Sequence, residues 1–168
     1  MVLLSLFCAP AVFAESIRVL LAQDALSVEV QSEGALALIT ELGDTKILNA
    51  PIHLTARGDG IQVDGRRIMT GQVLIRPLRN NLALVMGKDG GAPLALSGVV
   101  RVSRKGQGLS VVNQVDLEEY VKGVVPSEVS SAWHPEMLKV QAVAARTYAL
   151  YNKMLSSARD YDVVATIQ

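Results

Sequence analysis

Glu128 stands in Gly-Val-Val-Pro-Ser-Glu-Val, residues 123–129, directly after a proline and a serine. A carboxylate there can cap a helix, sit in water or move a proton in a reaction. With Ser127 as N-cap, an acidic residue in the first turn gains about 0.3–1 kcal/mol from the helix dipole. On residue type alone that reading stands beside catalysis. Lys139 and Arg146 follow, with Lys153 another seven residues along. On a helix this spacing drifts only about 20° per step, so the three cations form one stripe. The stripe is either a solvated face or one wall of a cleft in which Lys139 and Arg146 hold an anionic or polar ligand. Gln141 and Asn152 lie nearly opposite.

Other chemistry-bearing residues have plainer readings. Glu118 and Glu119 read as solvated helix positions, and Glu136, after Pro135, as a first-turn carboxylate. His134 reads as a turn residue, with an acid/base role as the alternative. Trp133, Tyr148 and Tyr151 read as core, the tyrosine hydroxyls reaching a rim. Arg101, Arg104 and Lys105 read as a solvated strand end. The chain has no Gly-x-Ser-x-Gly elbow and no phosphate-cradling Gly-x-x-x-x-Gly-Lys-[Ser/Thr] loop. Two distant histidines, His53 and His134, make no metal-ligand cluster, and no cofactor is expected.

The elements that must position these residues change in texture along the chain. The first residues, MVLLSLFCAPAVFA, form an apolar run ending in small residues, so 1–14 are expected to be a secretory signal peptide and the protein to be exported to the cell envelope. The run is too short for a membrane span, which needs roughly 20 apolar residues. No lysine or arginine precedes it. The sole cysteine, Cys8, lies inside it behind Phe7, where a lipid-attachment site has a small residue, so no lipid anchor is expected.

From residue 15 to 112 short strands dominate: 26–31, 52–56, 61–63, 73–76, 82–86, 98–103 and 109–115, with Asp64-Gly65 as a hairpin turn. Helical character then begins. Asp116 caps a short helix over 116–122 with Glu119 in a capping-box position, and Gly123 ends it. Pro135 opens a long, alanine-rich helix over about 135–156. Its charged positions are few, so it is expected to be buried on more than one side. The fold class is α+β. Half the 168 residues are apolar, which argues against disorder, and 16 basic residues balance 16 acidic ones with no basic stripe across the chain, which argues against nucleic acid.

Residues 113–149 carry a dense signature: Asn-Gln-Val-Asp-Leu-Glu-Glu-Tyr-Val-Lys-Gly-Val-Val-Pro-Ser-Glu-Val, then Trp-His-Pro-Glu-Met-Leu-Lys-Val-Gln-Ala-Val-Ala-Ala-Arg-Thr-Tyr-Ala. This resembles the stage II sporulation protein D family (the SpoIID/LytB group). The resemblance implies a bacterial envelope protein acting on peptidoglycan. Its enzymatic members are lytic transglycosylases that prefer peptide-stripped glycan strands, and others enhance a cell-wall amidase. It implies Glu128 as the catalytic acid, with Lys139, Gln141 and Arg146 contributing polar groups to the same site. The family domain normally continues into a Gln- and Tyr-containing segment, so 113–168 corresponds to its N-terminal part.

One carboxylate suffices for that chemistry. The C6 hydroxyl of the muramic ring is a tethered nucleophile, so neither a positioned water nor an enzyme nucleophile is needed. The same carboxyl protonates the leaving oxygen and then takes up the C6 proton. It must hold its proton near neutral pH, whereas a free glutamate loses it near pH 4.3. Burial among Val124, Val125, Pro126, Val129 and Trp133 is the expected means.

Overall fold

A computed structural model describes residues 15–68, 70–79, 83–87 and 94–165. The leader expected at 1–14 lies outside them. Thirteen strands and two helices are assigned among the described residues, an α+β architecture.

Alternation writes the strands directly. In β2 (Ser27–Gln31) Val28 and Val30 are buried while their neighbours are half-exposed, and in β5 (Ile52–Arg57) Ile52 and Leu54 are buried. The same rule places Leu36 and Leu38 of β3 (Ala35–Thr40), Val73 and Ile75 of β8 (Gln72–Pro77), and Val100 and Val102 of β11 (Val99–Lys105). The strands build two sheets. One runs β13-β1-β12-β11-β8-β3-β4, with β1 at Ser16–Ala25, β4 at Thr45–Asn49, β12 at Gly108–Asp116 and β13 at Val163–Val164. The other runs β10-β9-β2-β5-β6-β7, with β6 at Gly60–Val63, β7 at Arg66–Ile68, β9 at Ala83–Gly87 and β10 at Leu94–Leu96. Their inner faces share one apolar cluster, so the burial that stabilises each sheet is supplied by the other.

The Asp64-Gly65 turn forms as expected. Val63 pairs with Arg66, and both turn residues have positive φ, 47° and 79°. Gly98 is held more tightly. Its φ is +84°, and a Cβ there would lie 2.3 Å from the Gln114 carbonyl oxygen, so no larger residue fits where β11 approaches β12.

Asp116 caps α1 as expected, its carboxylate accepting from the Glu118 and Glu119 N–H groups at 2.8 and 3.2 Å. The end of this helix differs from expectation. Gly123 does not stop it; α1 spans Leu117–Glu128 and takes Pro126 inside. The reason is tertiary. Val121 and Val125, either side of Gly123, pack into a second apolar cluster with Ile17, Val19, Val115 and Ala149, and that packing outweighs a glycine's cost of about 1 kcal/mol. After a connection over 129–134, α2 (Pro135–Leu155) begins at Pro135 as expected. His134 is its N-cap, the ring Nδ1 accepting from the Glu136 N–H at 3.3 Å.

The helix hairpin leans on β1 and β12, and the chain then returns to β1. Val163 and Val164 pair with Val19 and Leu20 in parallel. Asp162, buried, accepts from the Arg18 backbone N–H at 2.8 Å, from Arg18 Nη2 at 2.6 Å and from Ser156 Oγ at 2.5 Å. The return segment is thus pinned by charge as well as by backbone pairing.

α2 is not buried on more than one side. Ala145 and Ala149 face inward, whereas Met137, Val140, Val143, Tyr148, Tyr151, Met154 and Leu155 are exposed along its outer face. Trp133, expected in the core, is 50% exposed, and Tyr148 and Tyr151 are 60% and 59% exposed.

Candidate functional site

Glu128 is the last residue of α1, two turns beyond the buried Val121 and on nearly the same stripe, since seven residues return a helix to within about 20°. It therefore continues the helix's inward face past the point where the packing stops. It is exposed, and its carboxylate makes no hydrogen bond or ion pair among the described residues. This corrects two expectations. The apolar notch around it does not form: Pro126 and Trp133 are exposed, and Val124, Val125 and Val129 are half-buried. Ser127 is no N-cap either; its hydroxyl donates back to the Val124 carbonyl at 2.8 Å near the end of a helix, so a capping role for Glu128 falls away.

Tyr120 marks what surrounds Glu128. Its phenol is half-buried, and burial pushes its pKa up, with smaller contributions from Tyr148 and Glu128. The three side chains are thus near enough to interact electrostatically, with Tyr148 coming from α2.

The other three residues divide. Lys139 and Arg146 lie on one stripe of α2, as their spacing predicts, but each has a carboxylate partner. Lys139 Nζ donates to Glu136 at 2.8 Å on the surface. Arg146 donates to Glu118 on α1 through Nε at 2.8 Å and Nη2 at 2.6 Å. This bidentate pair ties the two helices together, and its hydrogen bonds, with burial opposing, hold the Glu118 carboxyl below the usual carboxylate range. Gln141 is half-buried on the other flank, about 140° round the helix from Arg146, and its side chain takes no partner among the described residues. No direct bond joins Glu128, Lys139, Gln141 and Arg146 to one another.

Glu118 was legible as an acidic helix residue, not as the partner of Arg146. Their separation of 28 positions in the sequence hides the contact until the hairpin folds. Arg101 is a similar case. Far from being a free strand end, its Nη2 donates to Gln114 Oε1 at 3.3 Å while its buried Nε has no partner. Arg104 donates to the Gly58 and Gly108 carbonyls, and Lys105 pairs with Asp160.

A recess lined by Glu15, Leu150, Lys153 and Met154 lies toward the other end of α2, away from the turn that follows Glu128. Among the described residues no group of three or more His, Cys, Asp or Glu could hold a metal ion, and no helix is long and apolar enough to cross a membrane.

A helix hairpin seated on the edge of a two-sheet β unit, with a free carboxylate at the hairpin's turn, is the class of site the fold defines. Residues 105–168 match the family model described as SpoIID, stage II sporulation protein. The chain is 49% identical over 47 residues to stage II sporulation protein D of Bacillus subtilis, covering 28% of this chain and 14% of that protein. The protein of the same name from Bacillus amyloliquefaciens matches to the same extent. An uncharacterized protein of Brachyspira hyodysenteriae is 62% identical over 42 residues, 25% of this chain and 11% of that protein. The matches thus span 11% to 14% of the lengths of these relatives. No solved structure matches the chain. By these matches residues 105–168 are similar to the SpoIID family.

Proposed function

We propose that the protein acts on the bacterial cell wall as an exported lytic transglycosylase of peptidoglycan glycan strands, with Glu128 as acid and base. The observation that carries this reading is Glu128 itself: a carboxylate without a partner, projecting beyond the packed face of α1, within the family segment. A strand laid across the hairpin supplies the cover, replacing water over Glu128 with sugar. The carboxyl then gives its proton to the glycosidic oxygen as the C1–O bond breaks. The C6 hydroxyl oxygen bonds to C1, and its proton returns to Glu128, so no water is consumed and the product is a 1,6-anhydro end. Arg146, Lys139 and Gln141 bind the strand's polar groups. The test is incubation with peptide-free strands. The wild-type chain is expected to generate 1,6-anhydro ends and Glu128→Gln to generate none while still folding. A Glu128→Gln protein as active as wild type ends the proposal.

The exposure of Glu128 favours one second reading: a glycan-binding module that enhances a cell-wall amidase without cutting. It predicts strand binding with no anhydro product from wild type.

A further inference from the structure

Arg146 is held by one edge and open on the other. Glu118 takes Nε and Nη2, and Nη1 has no partner among the described residues. The Arg146 side chain is 34% exposed and that of Glu118 56%, so the free edge is reachable by solvent. A guanidinium has five donors in a rigid plane, and fixing two of them fixes where the other three point. An unrestrained arginine loses rotamer freedom whenever it binds; one already clamped loses less.

Resting on the glycan reading above, we propose that Glu118 is a positioning residue, which holds Arg146 so that its Nη1 edge meets a carboxylate on the strand. A planar pair of acceptor oxygens matches that edge. In a peptide-stripped strand each muramic residue carries such a group, the lactyl carboxylate, whereas in a peptide-bearing strand the same carbon is an amide with one acceptor oxygen. The Glu118–Arg146 pair thereby becomes the feature that distinguishes the two strands. Lys122, which also lies near Glu118, is occupied by Glu119 at 2.6 Å and leaves the clamp intact.

The test uses the full chain and two measurements. Nitrogen-15 NMR of the arginine Nε–H groups is expected to show one slowly exchanging signal from Arg146 that disappears in Glu118→Gln. Binding of peptide-free strands is expected to weaken about ten-fold in Glu118→Gln and in Arg146→Ala. The double variant should be no more than about two-fold weaker than either single, because Glu118 acts through Arg146. Binding of peptide-bearing strands should change little in any of them. Equal binding by Glu118→Gln and wild type, or additive losses in the double variant, overturns the positioning role. Wild-type protein that binds neither strand while the Nε–H signal is intact overturns the glycan reading instead.

Discussion

At the residue scale, position in a helix decides what a side chain can do. His134 and Glu128 flank the same short connection, yet the first is consumed by structure and the second is not. His134 Nδ1 accepts the Glu136 N–H, which ties one ring nitrogen into the cap of α2. Replacing His134 with alanine should cost about 0.5–1 kcal/mol in stability through the lost cap. His134→Ser, which can cap in its place, should restore both Tm and activity on glycan strands. Restored Tm with lost activity would mean that the ring has chemistry of its own.

At the element scale, the helix hairpin explains both what sequence reveals and what it hides. The start of α1 at Asp116 and of α2 at Pro135 were legible because caps and prolines act locally. The end of α1 was not, because Gly123 is a local stop signal overridden by the packing of Val121 and Val125 against β1 and α2. Gly123 sits in open space, with nothing within 4 Å of where a Cβ would be. Gly123→Ala should therefore stabilise the protein by about 0.5–1 kcal/mol, read by denaturant unfolding. Loss of stability would mean that the glycine serves a conformation other than this helix. The same limit applied to the site. Spacing alone put Lys139 and Arg146 on one stripe, but their partners come from Glu136 nearby and Glu118 across the hairpin. The exposure of Glu128 depends on where the packing ends, which no local pattern reports. The outer face of α2 misled for a simpler reason: apolar composition signals burial, and here the apolar residues extend over a face that the described chain leaves open.

At the scale of the whole molecule, one ionic contact closes the structure. Asp162 is the buried end of a network with Arg18 and Ser156 that fastens the segment after α2 to the first strand. Burial pushes its pKa up, but the bonds from Arg18 and Ser156 outweigh that, and the carboxyl is held below its usual range. The stability it contributes is therefore full above the ordinary aspartate value of about 3.9 and is lost as pH falls through the lower, folded-state value. Asp162→Ala should cost about 3 kcal/mol at neutral pH by leaving Arg18 without its partner, and should flatten the acid limb of the stability curve. A variant as stable as wild type at pH 7, with an unchanged acid limb, would show that the contact is ornamental.

The placement of β1 carries a consequence for how the chain assembles. The first strand pairs with β12 and β13 alone, both contributed by residues from 108 onward. A ribosome that has released the first hundred residues holds a strand whose neighbours have yet to be synthesised. The interlocked β2, β3, β5 and β8 can find one another in the meantime, while β1 waits with its backbone edge bare. Completion of this sheet therefore waits for β12 and β13: β1 must meet strands far downstream in the sequence, which makes their pairing a long-range closure.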